Sequence, residues 1–236
     1  MIGFVDYKID AVIKFGGSLL SDSYTCQSAI NSLVQAAQNG YRLLVIPGGG
    51  PTDNTIELLD KTYSFAPNTH HKACALAQDQ TGVIICDTCF SNSLVACDNF
   101  EDAMHILDNG KVAVLLPSKI TFLMNPFEKT WDITSDAMAA WFSWVTSAKK
   151  FVVFKSVDGV YVNSKVGLDD YLIKQMSAKE LILMGSNAVD VCVAPFLVDK
   201  QMNCFIINGA RQNELLNLLD NKEFYGTSVI GELTYE

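Results

Sequence analysis

Ala11-Val12-Ile13-Lys14-Phe15-Gly16-Gly17-Ser18 sets the grammar of this chain: a short apolar run that stops on a glycine pair. The β-branched and aromatic residues at 11–15 predict a buried strand, and the glycines predict a tight exit from it. Working outward, residues 42–46 form a second such run and exit into Pro47-Gly48-Gly49-Gly50-Pro51. Residues 82–86, 112–116, 150–154 and 203–207 are further apolar runs of strand length. Helical spacing fills the intervals at 25–39 (closed by Gly40), 69–80, 100–108, 134–147, 188–200 and 211–220. Strands alternating with helices predict an α/β fold, with a mostly parallel sheet covered on both faces. No repeat, low-complexity tract or Gly/Ser/Pro-rich linker interrupts the 236 residues, so one domain over 1–236 is expected.

Composition narrows the function classes. Hydrophobic residues make up 49% of the chain and charged residues 18%, enough apolar material for a full core. A formal net charge of -9 disfavours a nucleic-acid partner. Arginine occurs only at 42 and 211, so cationic chemistry falls to lysine. The cysteines, at 26, 74, 86, 89, 97, 192 and 204, are odd in number and mostly in apolar surroundings, which reads as reduced thiols. Cys86-Asp87-Thr88-Cys89 lacks the second pair, or the histidines, that a zinc site needs. No leader pattern or membrane-length apolar run is visible, so a cytoplasmic protein with no membrane partner is expected.

Ligands of parallel sheets bind beyond the carboxyl ends of the strands, so the residues following each run carry the chemistry. Lys14 ends the first run, and Gly16, Gly17 and Ser18 follow it. Glycine lets anionic oxygens approach backbone N–H groups, although an ordinary strand-to-helix turn accounts for the same residues. Gly48, Gly49 and Gly50 sit between two prolines, and Pro51 suits the first turn of a helix. Asp132, Thr134, Ser135 and Asp136 precede the apolar stretch 137–145. Asp132 and Thr134 are candidate helix caps, and capping alone accounts for one carboxylate; the competing reading has Asp136 hold Lys14 in position or assist a magnesium ion through water. Lys155-Ser156-Val157-Asp158-Gly159-Val160-Tyr161 follows the run at 150–154. Asp-Gly is a turn signal with a positive φ open to Gly159, and Lys155 is placed to meet a phosphate. His70 and His71 open a helical pattern, where an acceptor contact competes with a cap or surface role. Trp131, Trp141, Phe142 and Trp144 read as core or subunit interface.

Taken in order, KFGGS at 14–18, PGGGP at 47–51, WDITSDAMA at 131–139 and VDGVY at 157–161 resemble the amino-acid-kinase family, which includes acetylglutamate kinase, uridylate kinase and aspartokinase. The likeness spans roughly residues 10 to 230. Within the family, WDITSDAMAAW, the segment 70–82 and Ile207-Asn208-Gly209-Ala210-Arg211 look like the small archaeal-type kinases related to aspartokinase, a subgroup that includes a kinase of aminomethylfuran-methyl phosphate in methanofuran-type cofactor synthesis.

The resemblance implies a three-layer αβα sandwich, with an acceptor-side lobe over about 1–130 and a nucleotide-side lobe over about 131–236. It implies ATP with Mg²⁺, transfer of the γ-phosphoryl group to a small phosphate or carboxylate acceptor, no direct protein ligand to the metal, and a homodimer or larger assembly. The alternatives are another acceptor, such as UMP or an amino acid, and a non-catalytic nucleotide- or oxyanion-binding protein. By the same resemblance Lys14, Asp136 and Lys155 are catalytic. Gly16, Gly17, Ser18, Lys155, Ser156, Asp158, Gly159 and Tyr161 meet the nucleotide. Gly48, Gly49, Gly50, His70, Asp132, Thr134 and Ser135 meet the acceptor. One departure stands out: many members carry Gly-Gly-Met-x-x-Lys before the last strand, and the segment 185–190 lacks that lysine, which leaves Lys155 or Lys200 as the alternatives for its charge.

Overall fold

A computed structural model describes residues 6–126, 134–162, 166–185 and 188–231. Its eight strands are β1 (Ala11–Phe15), β2 (Leu43–Pro47), β3 (Leu94–Cys97), β4 (Val112–Leu115), β5 (Lys150–Lys155), β6 (Gln175–Ser177), β7 (Cys204–Asn208) and β8 (Gly226–Ile230). They form one sheet in the order β3-β4-β2-β1-β5-β7-β8-β6. Pairing is parallel from β3 to β7, and β8 runs antiparallel to β7 with β6 parallel to it. The helices are α1 (Ser23–Gln38), α2 (Gly50–Tyr63), α3 (Pro67–Ile85), α4 (Phe100–Asp108), α5 (Ser118–Met124), α6 (Ser135–Val145), α7 (Ala178–Met184), α8 (Val193–Lys200) and α9 (Glu214–Leu219).

Strand parity sorts the core into two layers. Ala11, Ile13 and Phe15 pack with α1 and α9, through Ile30, Leu33, Leu215 and Leu218. Val12, on the opposite face, packs with Ala103 of α4, Phe142 of α6, Leu181 of α7 and Leu197 of α8. The αβα sandwich follows, because the central strands β1, β2 and β4 bury both of their faces. Burying a Leu, Ile or Phe side chain stabilises the fold by about 1.5–3 kcal/mol, and both layers are dense in such residues.

Three expectations change. Residues 82–86 are not a strand; they lie at the end of α3. Gln78, Thr81, Gly82 and Ile85 are buried while Val83 and Ile84 are exposed, which is helical spacing. A short apolar run reads alike in either state, and here the continuous helix from Pro67 decides it. The strand in that part of the chain is β3, which the sequence pattern missed along with β6 and β8. The helix expected over 188–200 begins only at Val193, and the one over 211–220 only at Glu214. Among the described residues no helix is long and apolar enough to cross a membrane.

Candidate active site

Parity also aims the lysines. Val12 and Lys14 share one face of β1, and Phe151, Val153 and Lys155 share the same face of β5. That face meets α6, whose first turn carries Asp136. The Lys14 Nζ lies 2.6 Å from Asp136 Oδ1, and the Lys155 Nζ lies 2.8 Å from Asp136 Oδ2. Asp136 is 0% exposed and Lys14 5% exposed, so this is an internal ionic cluster. Burial by itself would raise the Asp136 carboxyl, but the two ammonium groups outweigh it and hold it at about 2. Burial lowers Lys14, aided by the charge on Lys155 and opposed by Asp136. Lys155 faces the same desolvation, but its carboxylate neighbours prevail and raise it.

Asp190 is the fourth charged member. Its backbone N–H donates to Asp136 Oδ2 at 3.3 Å, and its carboxylate accepts the Thr134 hydroxyl. Burial first, then the nearby Asp136 charge, raises the Asp190 carboxyl. Sequence reading passed over Asp190, because nothing local ties it to a residue 54 positions earlier. Thr134 does occupy the N-cap position of α6, but its hydroxyl turns to Asp190 and makes no cap hydrogen bond.

Beside this cluster, Lys14, Gly17, Ser18, Gly48, Gly49, Gly50 and Ser135 line a cleft of about 310 Å³, with Ser21, Pro51, Asp53 and Asn54 completing its wall. The two glycine loops touch backbone to backbone. A Cβ on Gly17 would lie 2.6 Å from the Gly50 Cα and amide nitrogen, and Gly50 itself sits at φ +60°. Not every loop amide faces the cleft: Gly16 donates to the Phe154 carbonyl at 2.9 Å and Gly48 to the Phe15 carbonyl at 2.8 Å. Both amides extend the sheet, so Gly16 braces β1 against β5. Gly17→Ala is expected to force the loops apart, lowering stability by about 1–3 kcal/mol and turnover by about 100-fold. Steady-state assay and urea unfolding measure the two effects, and unchanged turnover would mean that the loops need no such contact.

The segment after β5 holds itself together. Asp158 accepts from Tyr161 Oη at 2.9 Å, Asn208 Nδ2 at 3.1 Å and the Arg211 guanidinium. Burial would raise its carboxyl, but these donors outweigh it and hold it below the usual range. Arg211 stacks on the Tyr225 ring at 4.2 Å. Asp158 thus organises Arg211. The Ser156 and Ser18 hydroxyls lie 3.2 Å apart, joining this segment to the first glycine loop. Gly159 does not use a positive φ. A Cβ there would meet the Thr227 Oγ1 at 2.3 Å, so glycine serves close packing.

His70 is buried in the first turns of α3 and does not line this cleft; its neighbour His71 lines a separate hollow with Lys72 and Thr121. Asp132 and Trp131 lie outside the described residues. Cys26, Cys97 and Cys204 are buried and Cys89 is exposed, all as free thiols.

The family model described as the amino acid kinase family matches residues 11–208, from β1 through β7. The chain belongs to that family. This kinase is 26% identical over 220 residues to the [5-(aminomethyl)furan-3-yl]methyl phosphate kinase of Methanocaldococcus jannaschii, covering 93% of this chain and 97% of that one. Its fold matches the uridylate kinase of Archaeoglobus fulgidus with a TM-score of 0.70 at 17% identity, over 94% of this chain and 100% of the other. The UMP kinase of Bacillus anthracis gives a TM-score of 0.71 at 14% identity, over 94% and 96%. These likenesses agree with the mostly parallel αβα sandwich of the kinase described above.

Proposed function

We propose that this kinase transfers the γ-phosphoryl group of ATP to a small acceptor that is already ionised, with an aminomethylfuran-methyl phosphate as the first candidate. The observation that carries the reading is the Lys14–Asp136–Lys155 cluster seated beside two touching glycine loops at the strand ends. Phosphoryl transfer asks for positioning and charge neutralisation rather than covalent help from the protein. An acceptor oxygen forms a bond to the γ-phosphorus as the bond to the ADP leaving oxygen breaks. Lys14 and Lys155 balance charge on the phosphoryl oxygens, and Asp136 keeps the two ammonium groups in place. An ionised acceptor needs no general base, which suits a cleft lined, among the described residues, without histidine. The name of the Methanocaldococcus relative supports the phosphate acceptor.

Lys14, the loop amides at Gly17 and Gly49, and the Ser18 wall suit the phosphates of a nucleotide. In this reading Mg²⁺ arrives on the nucleotide phosphates. By the same reading the lobe over about 1–130 carries the acceptor side, apart from the 14–18 loop that meets the nucleotide phosphates, and the lobe over about 131–236 carries the rest of the nucleotide side, in a cytoplasmic setting where ATP and reduced thiols coexist.

The test is an ADP-release assay with Mg-ATP and a panel containing the aminomethylfuran phosphate, UMP, aspartate and N-acetylglutamate, with ³¹P NMR of the product. A diphosphate signal from the furan acceptor is expected. ADP release with UMP or an amino acid alone would reassign the acceptor. Nucleotide binding without ADP release on any arm would make the protein a binder.

The assembly belongs to the same proposal. Helix α2 buries none of its residues within the described chain, and α2 and α3 expose Leu58, Leu59, Tyr63, Leu76, Val83 and Ile84. Apolar surface of that extent fits a second copy. Light scattering is expected to return a dimer or larger mass, and Leu58→Glu to lower it. A monomeric mass for the unmodified protein would remove the proposal.

A further inference from the structure

The cluster at the site has two ammonium groups against one fully buried carboxylate, and such a group is stable only when every charge has a partner. Asp190 stands beside that cluster, its backbone N–H on the same Asp136 oxygen that Lys155 meets. Its backbone N–H meets Asp136 and its side chain takes the Thr134 hydroxyl, so it bridges the start of α6 to the chain leading into α8. It also borders an apolar hollow of about 120 Å³ lined by Leu181, Ile182, Val189, Val191 and Ala194, where low polarity lengthens the reach of its charge.

We propose that Asp190 is a positioning residue for phosphoryl transfer, the second counter-charge that keeps Lys14 and Lys155 protonated together around the single Asp136 carboxylate. The charged and titratable groups facing it are Lys14 from β1, Lys155 from β5 and Asp136 from α6. Asp53 of α2 acts on Lys14 from the cleft side, and Cys204 of β7 lies close enough to feel Asp136 and Lys155. Of these, Asp136 and Asp190 both favour charged lysines, while burial disfavours both and the Lys155 charge disfavours that on Lys14. Asp190 thereby offsets a cost that Asp136 alone bears for two cations. The absence of the late lysine becomes intelligible in the same terms. With an acid at 190, the two lysines that remain are held charged, and no third cation competes for Asp136.

The kinetic half of this inference rests on the proposed kinase reading; the titration half does not. The experiment is a ¹³Cε NMR titration of lysines in the full chain without ligand, with the Lys14 signal assigned by its loss in Lys14→Arg. In Asp190→Asn, which retains an acceptor for the Thr134 hydroxyl, Lys14 is expected to lose its proton about one pH unit lower than in the wild type. The alkaline limb of kcat is expected to move down by the same amount while KM for ATP changes little, and Asp190→Glu is expected to restore both. Asp190→Ser is the second variant, should the asparagine form not fold. Thr134→Val removes the hydroxyl contact alone and is expected to leave the Lys14 titration in place. An unchanged Lys14 titration in a folded Asp190→Asn or Asp190→Ser protein would overturn the proposal. A shifted titration in a protein inactive toward every acceptor would support it while removing the kinase reading.

Discussion

Lys14→Ala is expected to abolish turnover, by roughly 100- to 1,000-fold or more, in a protein that still folds. The Lys14 ammonium sits between the cleft and Asp136, so its loss removes positive charge where the phosphoryl oxygens gather. The fold survives because Asp136 is not left alone. Lys155 remains 2.8 Å away, and the Asp190 amide still donates to the same carboxylate. A stability loss of about 1–3 kcal/mol is expected from the lost contact, well short of the cost of an orphaned buried charge. ADP release, read beside a circular-dichroism melt, checks both halves. Full turnover by a folded Lys14→Ala variant would detach Lys14 from the chemistry.

The larger structural effect belongs to Asp136→Ala. Two ammonium groups would then lie in a buried space without the carboxylate they share. Breaking a buried pair in this way costs about 3–5 kcal/mol, a large fraction of the stability of a typical domain. The pH dependence follows from the depressed carboxyl. Asp136 titrates at about 2 in the folded protein against an ordinary value of 3.8. Its stabilising contribution is therefore complete above 3.8 and disappears as pH falls through about 2. The gap in unfolding free energy between wild type and Asp136→Ala should be wide at neutral pH and should narrow in strong acid. Urea unfolding at several pH values measures this, and a gap that stays constant down to about pH 2 would contradict the assignment of the cluster.

The four chemical stretches were legible because each is local. Lysine before a glycine pair, three glycines between prolines, an acid at a helix start and Asp-Gly after a strand each announce themselves within a few residues. Even the convergence of Lys14 and Lys155 was implicit, since strand parity puts both on one face once β1 and β5 are neighbours. Less accessible were the features set by partners far along the chain. His70 lies in the right helix, yet the helix phase buries it away from the cleft. Gly16 looked like a phosphate contact until its amide was found bonded to Phe154.

By itself the sequence determined the α/β alternation, the placing of glycine loops at strand ends and the choice of lysine as the cation. Periodicity and backbone permissiveness are properties of neighbouring residues, and they survive without a fold. Only the tertiary structure decided that residues 82–86 finish a helix, that Asp190 joins the lysine cluster, and that Asp158 holds Arg211. Those outcomes depend on which distant groups share a buried space. There the strength of a charge or hydrogen bond is set by what else has been removed from water.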